Sequence, residues 1–272
     1  MRIAIIGAGS IGGYLAAKLA LSGQPVTVIA RGANLAAIRA KGLKLRLPDG
    51  TEETAIPDLA TDDLAAAGPH DVVILGVKGQ QLATLVPTLG PLLGPETAVV
   101  PAQNGIPWWY FQRHGGPFDG RQLESVDPGG IITRHIAPER VIGCVTYQAA
   151  ELVEPGVVQF IEGNRFTLGE PDGEKSERVM ALARALTEAG LKVPVPRNIR
   201  TEIWVKVLGN MTFNPISALT RATLGQMIGF EPTRQLVADT MAEAQEEATR
   251  LGIKIGISIE KRIQGAAEMG SH

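Results

Sequence analysis

The stretch "RIAIIGAGSIGGYLAAKLALSG", residues 2–23, decides the fold. It begins with "RIAIIG", a short apolar run rich in isoleucine that is typical of a strand buried on both faces. A glycine-rich turn follows, and the remaining residues predict a helix that ends at Gly23. Strand, glycine turn and helix, in this order, form the context in which a G-x-G-x-x-G pattern binds a dinucleotide. We call its six residues the glycine loop: Gly7, Ala8, Gly9, Ser10, Ile11 and Gly12.

Each glycine of the loop has a separate expected task. Gly7 permits the tight turn, Gly9 lets a pyrophosphate approach the backbone, and Gly12 lets the helix pack closely on the strand. The helix N-terminus offers unpaired N–H groups and its positive dipole end to the phosphates. An ordinary glycine turn is the alternative. A second strand, "PVTVIA" at residues 25–30, stands where a βαβ unit requires it and favours the dinucleotide site.

The residue that follows this second strand indicates which cofactor is bound. An NAD site carries Asp or Glu there to hold the ribose 2′-hydroxyl, whereas Arg31 occupies the position here. A guanidinium can pair with a 2′-phosphate, so the sequence predicts NADP(H). The alternative is an arginine that follows the strand by chance.

Two further strands are predicted in α/β rhythm. "DVVILGV" at residues 71–77 is followed by Lys78, and "TAVVPA" at residues 97–102 is followed by Gln103 and Asn104. Ligands of open parallel sheets bind beyond the carboxyl ends of the strands, so Lys78 and Asn104 are expected to face the crevice of the glycine loop. Asn-Gly is also a common turn signal, and a simple turn stays open for Asn104.

The middle of the chain yields two less specific predictions. Residues 108–111, "WWYF", form an aromatic block that either lines a pocket, forms a partner surface or is buried against a helix. Residues 140–171 predict three strands, with turns at Glu154-Pro155-Gly156 and at Gly163-Asn164, as an antiparallel extension of the sheet.

Beyond about residue 198 the pattern is helical, and one helix carries an unusual polar stripe. In "IWVKVLGNMTFNP", residues 203–215, the polar residues Lys206, Asn210 and Asn214 recur every fourth position between apolar neighbours. They therefore lie on one line of a helix. A desolvated lysine is a usable general acid, and the amides can orient a hydroxyl or a carboxylate. The alternative is the solvated stripe of a half-exposed helix. We call these three residues the Lys–Asn stripe.

The bulk composition restricts the partners of the chain. Its 272 residues carry 26 basic and 28 acidic side chains, without a basic run, which argues against nucleic acid. No apolar run is long enough to span a membrane, and the four histidines show no metal-ligand spacing. A single cysteine indicates a reducing compartment. We therefore expect a soluble, cytoplasmic protein that holds no metal.

The chain resembles the ketopantoate reductase (2-dehydropantoate 2-reductase) family. The likeness runs in order through "IAIIGAGSIGG", "VKGQQ", "QNG" and "IWVKVLGNMTFNPISAL" and covers nearly the whole sequence. It implies an α/β, Rossmann-like NADP-binding domain with an antiparallel extension, at residues 1–197. An all-helical domain for substrate binding and dimerisation follows at residues 198–272, so a second copy of the chain is a candidate partner besides a small 2-oxo acid.

The resemblance also implies a set of site residues. NADPH would be held by Gly7, Gly9, Gly12, Arg31, Lys78 and Gln81. Asn104 would lie between nicotinamide and substrate, Lys206 would be the proton donor, and Asn210 and Asn214 would bind the hydroxy-acid end of the substrate. The implied reaction is NADPH-dependent reduction of 2-dehydropantoate to (R)-pantoate, towards pantothenate and coenzyme A. Reduction of another 2-oxo acid and non-catalytic NADP binding are the alternatives.

The sequence departs from the family pattern at two places. Members commonly have another asparagine about ten residues past Asn214, where this chain has Leu224. They also continue with a segment like "SMLQD" and a helix that bears a glutamate, whereas this sequence ends at Gly270-Ser271-His272. The helical domain is therefore expected to be incomplete at its C-terminal end.

Overall fold

The computed structural model describes residues 1–269. The chain divides into two compact units, Met1–Ile199 and the region from Arg200 onwards. The strands are β1 (Ile3–Ile6), β2 (Val26–Ile29), β3 (Leu43–Arg46), β4 (Glu52–Ala55), β5 (Leu59–Thr61), β6 (His70–Leu75), β7 (Leu93–Pro101), β8 (Gly143–Glu154) and β9 (Val157–Gly169). The α-helices are α1 (Ser10–Leu21), α2 (Gly32–Lys41), α3 (Leu64–Ala67), α4 (Leu82–Leu85), α5 (Ile131–His135), α6 (Glu177–Glu188), α7 (Ile199–Thr220), α8 (Leu224–Gly229), α9 (Glu231–Arg250) and α10 (Ile259–Met269). Short 3₁₀ turns lie at Gly79–Gln81, Val86–Thr88, Gly90–Leu92, Pro128–Gly130 and Pro138–Arg140.

The first unit is built on a five-stranded parallel sheet in the order β5-β2-β1-β6-β7. All four residues of β1 are buried, as its uninterrupted apolar sequence predicts for a central strand. The chain first adds strands on one side of β1 and then crosses to the other side with β6. This reversal between β1 and β6 is the topological switch point, where open α/β sheets form their ligand crevice. The predicted Rossmann-like class is confirmed.

A second sheet of four strands, in the order β4-β3-β9-β8, contains the predicted antiparallel pair. The turn at Glu154-Pro155-Gly156 joins β8 to β9. The prediction of a third strand after a turn at Gly163-Asn164 is wrong, because both residues lie inside β9. The pairing of β9 with β8 shifts register there by one extra residue in β9, and Gly163 has a φ of 75°, so Gly163 and Asn164 form a bulge instead of a turn.

Helix α1 contacts strands of both sheets and forms the centre of the apolar core. Its Tyr14 stacks on Phe160 and Phe166 of β9, with ring centroids 5.2 and 6.3 Å apart. The aromatic block is buried too. Trp109 packs so closely on Gly143 that a Cβ there would lie 2.6 Å from the indole ring. Of the three interpretations left open for the block, the structure shows burial.

Among its described residues the second unit contains helices and connecting loops but no strand, as predicted. Helix α10 packs against α8 and α9, and the apolar side of α9 is buried through Val237, Met241 and Ala248. Of the two places at which the sequence analysis expects a departure from the family pattern, Leu224 is the first residue of α8, whereas Gly270, Ser271 and His272 lie outside the described part of the chain.

Candidate functional site

The glycine loop connects β1 to α1, and close contacts fix its shape. Gly7 has a φ of 92°, a conformation that favours glycine, and its N–H donates to the Ile29 carbonyl at 2.9 Å. A Cβ on Gly12 would lie 1.9 Å from the Gly7 carbonyl oxygen, so no side chain fits there. A Cβ on Gly9 would have no neighbour within 4 Å. Gly7 and Gly12 therefore serve the packing of the loop, whereas the surface above Gly9 is open to a ligand.

The N-terminus of α1 is available for an anion. Gly9 is its N-cap and, having no side chain, makes no capping hydrogen bond. The first-turn N–H groups, from Ser10 to Gly12, point out of the helix end and carry its positive partial charge. An open backbone surface beside these donors fits the pyrophosphate of a dinucleotide.

Asn34 in α2 binds the backbone of the glycine loop through its side-chain amide. Its Nδ2 donates to the Ala8 carbonyl at 2.8 Å, and its Oδ1 accepts from the Gly156 N–H at 2.6 Å. One amide thus links the glycine loop to the β8–β9 turn. The two partners also fix which end of the amide is nitrogen, because a carbonyl needs a donor and an N–H needs an acceptor.

Gly76, which follows the carboxyl end of β6, packs closely against the glycine loop. A Cβ on Gly76 would lie 2.9 Å from both the Gly12 Cα and the Gly7 carbonyl oxygen. The Gly76 N–H donates to the Ile6 carbonyl at 2.8 Å, which closes the gap between β1 and β6 at the switch point. Gly76 is therefore as necessary to this crevice as the glycines of the loop itself.

The predicted cationic residues lie at two strand ends of this edge. Arg31 follows β2 as the N-cap of α2, and Lys78 follows β6 as the N-cap of the next 3₁₀ turn. Both side chains are exposed, and neither takes part in the ion pairs formed among residues 1–269. Gln81 accepts a hydrogen bond from the Lys78 N–H at 3.0 Å and so shapes the turn that presents the lysine.

Asn104 lies in the loop after β7, where it contacts β8. Its Oδ1 accepts a hydrogen bond from the Thr146 hydroxyl at 3.5 Å, and the Asn104 side chain is exposed. Strand order brings the glycine loop, Lys78 and Asn104 to the same edge of the sheet, after β1, β6 and β7. The structure thus brings these residues to one edge of the sheet, as the sequence analysis expects.

The Lys–Asn stripe lies within α7 of the second unit. Lys206 and Asn210 are half-buried, and Asn214 is exposed. A helix rises about 1.5 Å per residue, so the stripe spans about 12 Å along one side. Pro215 follows it inside the same helix and removes the N–H that would donate to the carbonyl four residues earlier.

Two other classes of site find no support in the described residues. Within residues 1–269, no group of three or more His, Cys, Asp or Glu side chains could hold a metal, and no helix could cross a membrane.

His70 has a structural role, because both of its ring nitrogens form hydrogen bonds within the fold. Its Nδ1 donates to the Gly68 carbonyl at 2.8 Å, its Nε2 accepts from the Thr27 hydroxyl at 2.9 Å, and burial lowers its pKa.

Comparison with known proteins identifies the family. The family model "Ketopantoate reductase PanE/ApbA" matches residues 3–108, and "Ketopantoate reductase PanE/ApbA C terminal" matches residues 198–272. A 2-dehydropantoate 2-reductase from Mesorhizobium japonicum is 50% identical, and the match covers 100% of this chain and 83% of that protein. The chain belongs to the ketopantoate reductase family.

Solved structures of related proteins agree with the fold of this chain. A crystal structure from Ralstonia solanacearum MolK2, assigned to the ketopantoate reductases, has 41% identity and a TM-score of 0.94, covering 99% of this chain and 83% of that one. The 2-dehydropantoate 2-reductase of Methylococcus capsulatus has 26% identity and a TM-score of 0.82, covering 100% and 81%. The chain is thus an oxidoreductase of the 2-dehydropantoate 2-reductase type.

The structure of this member of the ketopantoate reductase family also reveals candidate site residues that the sequence analysis missed. Gly76 and Asn34 shape the glycine loop, and Gln103 fastens the ends of β6 and β7. The only sequence signal for Gly76 was its place at the end of a predicted strand. Nothing in the sequence indicates the partners of either amide, because those partners are backbone carbonyl and N–H groups of distant segments.

Proposed function

We propose that this protein uses NADPH to reduce 2-dehydropantoate to (R)-pantoate, in the cytoplasm, on the route to pantothenate and coenzyme A. The observation that carries the proposal is the 50% identity with a 2-dehydropantoate 2-reductase over the whole chain. The glycine loop supports it independently, because its open backbone and helix N-terminus suit a dinucleotide.

In this proposal residues 1–197 bind NADPH. The glycine loop, from Gly7 through Ala8, Gly9, Ser10 and Ile11 to Gly12, holds the pyrophosphate. Arg31 pairs with the 2′-phosphate, since it stands at the end of β2 where the adenosine ribose of a Rossmann-like cofactor lies. Lys78 and Gln81 contact the cofactor after β6, and Asn104 lies between nicotinamide and substrate. The side chains of Arg31 and Lys78 are exposed and form no ion pair among the described residues, so both can bind a phosphate.

Residues 198–272 supply the groups that act on the substrate, and we assign dimerisation to the same region. Asn210 and Asn214 orient the hydroxy-acid end of the substrate through their amides. When bound, NADPH supplies the hydride that adds to the 2-oxo carbon. Lys206 stabilises the negative charge that develops on the carbonyl oxygen and donates a proton to it, which completes the alcohol.

Replacement of Lys206 tests this mechanism. Lys206→Met keeps the length and removes the acid, so kcat should fall by about 10²- to 10⁴-fold while the dissociation constant of NADPH stays unchanged. Lys261→Met is the matched control, because Lys261 is an exposed lysine of α10 that the mechanism does not use. If Lys206→Met kept kcat within a few fold, the lysine would not be the proton donor.

Assays of the wild-type protein distinguish the two alternatives, which are reduction of another 2-oxo acid and non-catalytic NADP binding. Steady-state oxidation of NADPH is measured with 2-dehydropantoate and a panel of other 2-oxo acids. A higher kcat/KM for another oxo acid would move the substrate assignment within the family. Tight NADPH binding without turnover of any oxo acid would instead identify a non-catalytic NADP-binding protein. Sedimentation of the same sample tests the proposed homodimer.

A further inference from the structure

One side chain joins the two strand ends that carry Lys78 and Asn104. The Nε2 of Gln103 donates to the Leu75 carbonyl at 2.7 Å and to the Val77 carbonyl at 2.8 Å. Gln103 follows β7, whereas Leu75 ends β6 and Val77 immediately precedes Lys78. Because both partners are carbonyls, the orientation of the amide is determined: its nitrogen must face them.

The segment that Gln103 holds leans directly on the glycine loop. Gly76 approaches Gly12 so closely that a Cβ would lie 2.9 Å from the Gly12 Cα. On the other side, the Val77 Cγ1 would lie 2.8 Å from a Cβ on Gly7. A shift of residues 75–78 would therefore change both the shape of the glycine loop and the position from which the Lys78 side chain starts.

The hydrogen bonds of Gln103 do little for stability. Its Oε1 is buried and has no partner among residues 1–269, and an unpaired buried acceptor costs about as much as two neutral hydrogen bonds contribute. The Leu75 carbonyl also accepts from the Ala102 N–H at 3.1 Å, so it keeps a partner when the amide is removed. Loss of the amide mainly releases the Val77 carbonyl.

We propose that Gln103 is a positioning residue for NADPH: its amide holds residues 75–78 against the glycine loop in the arrangement that binds the cofactor. Gln103 itself touches no reacting atom in this proposal. The inference rests on the proposed use of a nicotinamide cofactor by this crevice. It does not depend on which oxo acid is reduced.

The test compares Gln103 with a glutamine of the same local chemistry elsewhere. Gln159 in β9 also donates from Nε2 to two carbonyls, those of Arg46 at 3.3 Å and Phe160 at 3.1 Å, but it lies in the second sheet. Gln103→Leu, Gln103→Glu, Gln159→Leu and Gln159→Glu are made in the full chain. For each variant, the thermal midpoint without cofactor, the NADPH dissociation constant and kcat at saturating NADPH are measured.

We expect Gln103→Leu to weaken NADPH binding by about tenfold or more. A shift of residues 75–78 would cost the phosphates of NADPH about one charge-assisted hydrogen bond from Lys78 or the glycine loop. The thermal midpoint of Gln103→Leu should match that of Gln159→Leu, and its kcat at saturation should stay within about threefold of the wild type. Gln103→Glu should bind NADPH worst at high pH, because a carboxylate repels both carbonyls. Its affinity should partly recover on acidification, since a protonated carboxyl can donate one hydrogen bond.

Unchanged NADPH affinity in both Gln103 variants would overturn the proposal, and so would an equal loss in the Gln159 variants. Recovery of NADPH affinity by Gln103→Glu at low pH would indicate a positioning role. A general destabilisation by a buried carboxylate would instead change Gln159→Glu in the same way. If the wild type bound NADPH but reduced no oxo acid, the proposed function would fail while the affinities still decided the role of Gln103. A wild type that bound no NADPH would overturn both.

Discussion

Gly9 and Gly12 lie three residues apart in the glycine loop, yet alanine should act on them in opposite ways. A Cβ at position 12 would lie 1.9 Å from the Gly7 carbonyl oxygen and 3.1 Å from its carbonyl carbon. Carbon–oxygen contacts normally begin at about 3.3 Å, so helix and loop must separate by more than about 1 Å. A Cβ at position 9 would meet no atom within 4 Å, and the φ of Gly9 is −79°, which alanine adopts without strain.

The magnitudes follow from these distances. Overpacking costs about 1–3 kcal/mol, and Gly12→Ala belongs at the upper end because the clashing atoms are backbone. A loss of about 3 kcal/mol lowers the midpoint of a domain of this size by about 6–12 °C. Gly9→Ala should leave stability unchanged or raise it by up to about 1 kcal/mol, through the lower entropy of the unfolded chain.

Cofactor binding should show the reverse sensitivity. The methyl group of Gly9→Ala occupies the open surface over which a pyrophosphate would approach. Displacement of the phosphate forfeits at least one charge-assisted hydrogen bond of about 1.5–3 kcal/mol, so the NADPH dissociation constant should rise by about 10- to 100-fold. Thermal unfolding without cofactor and fluorescence titration with NADPH measure the two effects separately.

Gly229→Ala provides the control, because position 229 also has no neighbour within 4 Å of a Cβ but is an exposed residue at the end of α8, in the second unit. It should change neither quantity appreciably. Unaltered NADPH affinity in Gly9→Ala would refute the assignment of that surface to the pyrophosphate. A Gly12→Ala protein as stable as the wild type would refute the packing argument.

Three further predictions concern other charged or titrating side chains. Arg31→Met should weaken NADPH binding by about tenfold or more and leave NADH binding nearly unchanged, because only NADPH carries the 2′-phosphate; equal losses for both cofactors, measured by titration, would exclude this contact. Burial lowers the pKa of His70, so its neutral form is favoured by folding, and stability should fall as the pH drops below the unfolded value of about 6.5. Urea unfolding should show a weaker pH dependence for His70→Gln, and an identical slope would contradict this reasoning. Arg178→Met should cost about 3 kcal/mol in urea unfolding, because the buried Glu170 carboxylate loses the guanidinium that donates to it at 2.7 and 2.8 Å; Glu170→Gln combined with Arg178→Met should restore part of the loss.

The sequence predicted best those features that depend on neighbours along the chain. The glycine loop is such a feature, since the turn at Gly7 and the contact between Gly12 and Gly7 form within six consecutive residues. The Lys–Asn stripe is another, because helical periodicity alone puts its three residues on one line. The same local signals gave the parallel sheet and the helical second unit, and the family resemblance that they carried is confirmed.

The sequence could not decide the structure where one short segment is compatible with two or more conformations or environments. Gly163-Asn164 reads equally well as a turn or as a bulge, and only the continuous pairing of β9 with β8 distinguishes them. The aromatic block has the same ambiguity. Its four side chains are apolar in any interpretation, and their burial depends on neighbours such as Gly143 that come later in the chain.

The sequence by itself determined the glycine loop, the helix after it and the alternation of strands and helices typical of a dinucleotide-binding sheet, because short-range sterics and periodicity depend on consecutive residues. Only the tertiary structure decided that Gly76 must lack a side chain and that the amides of Asn34 and Gln103 hold the crevice together. Their partners are backbone atoms of segments far away in sequence. A backbone carbonyl carries no mark of residue type, so such a contact leaves no pattern in the sequence and exists only once the strands have paired.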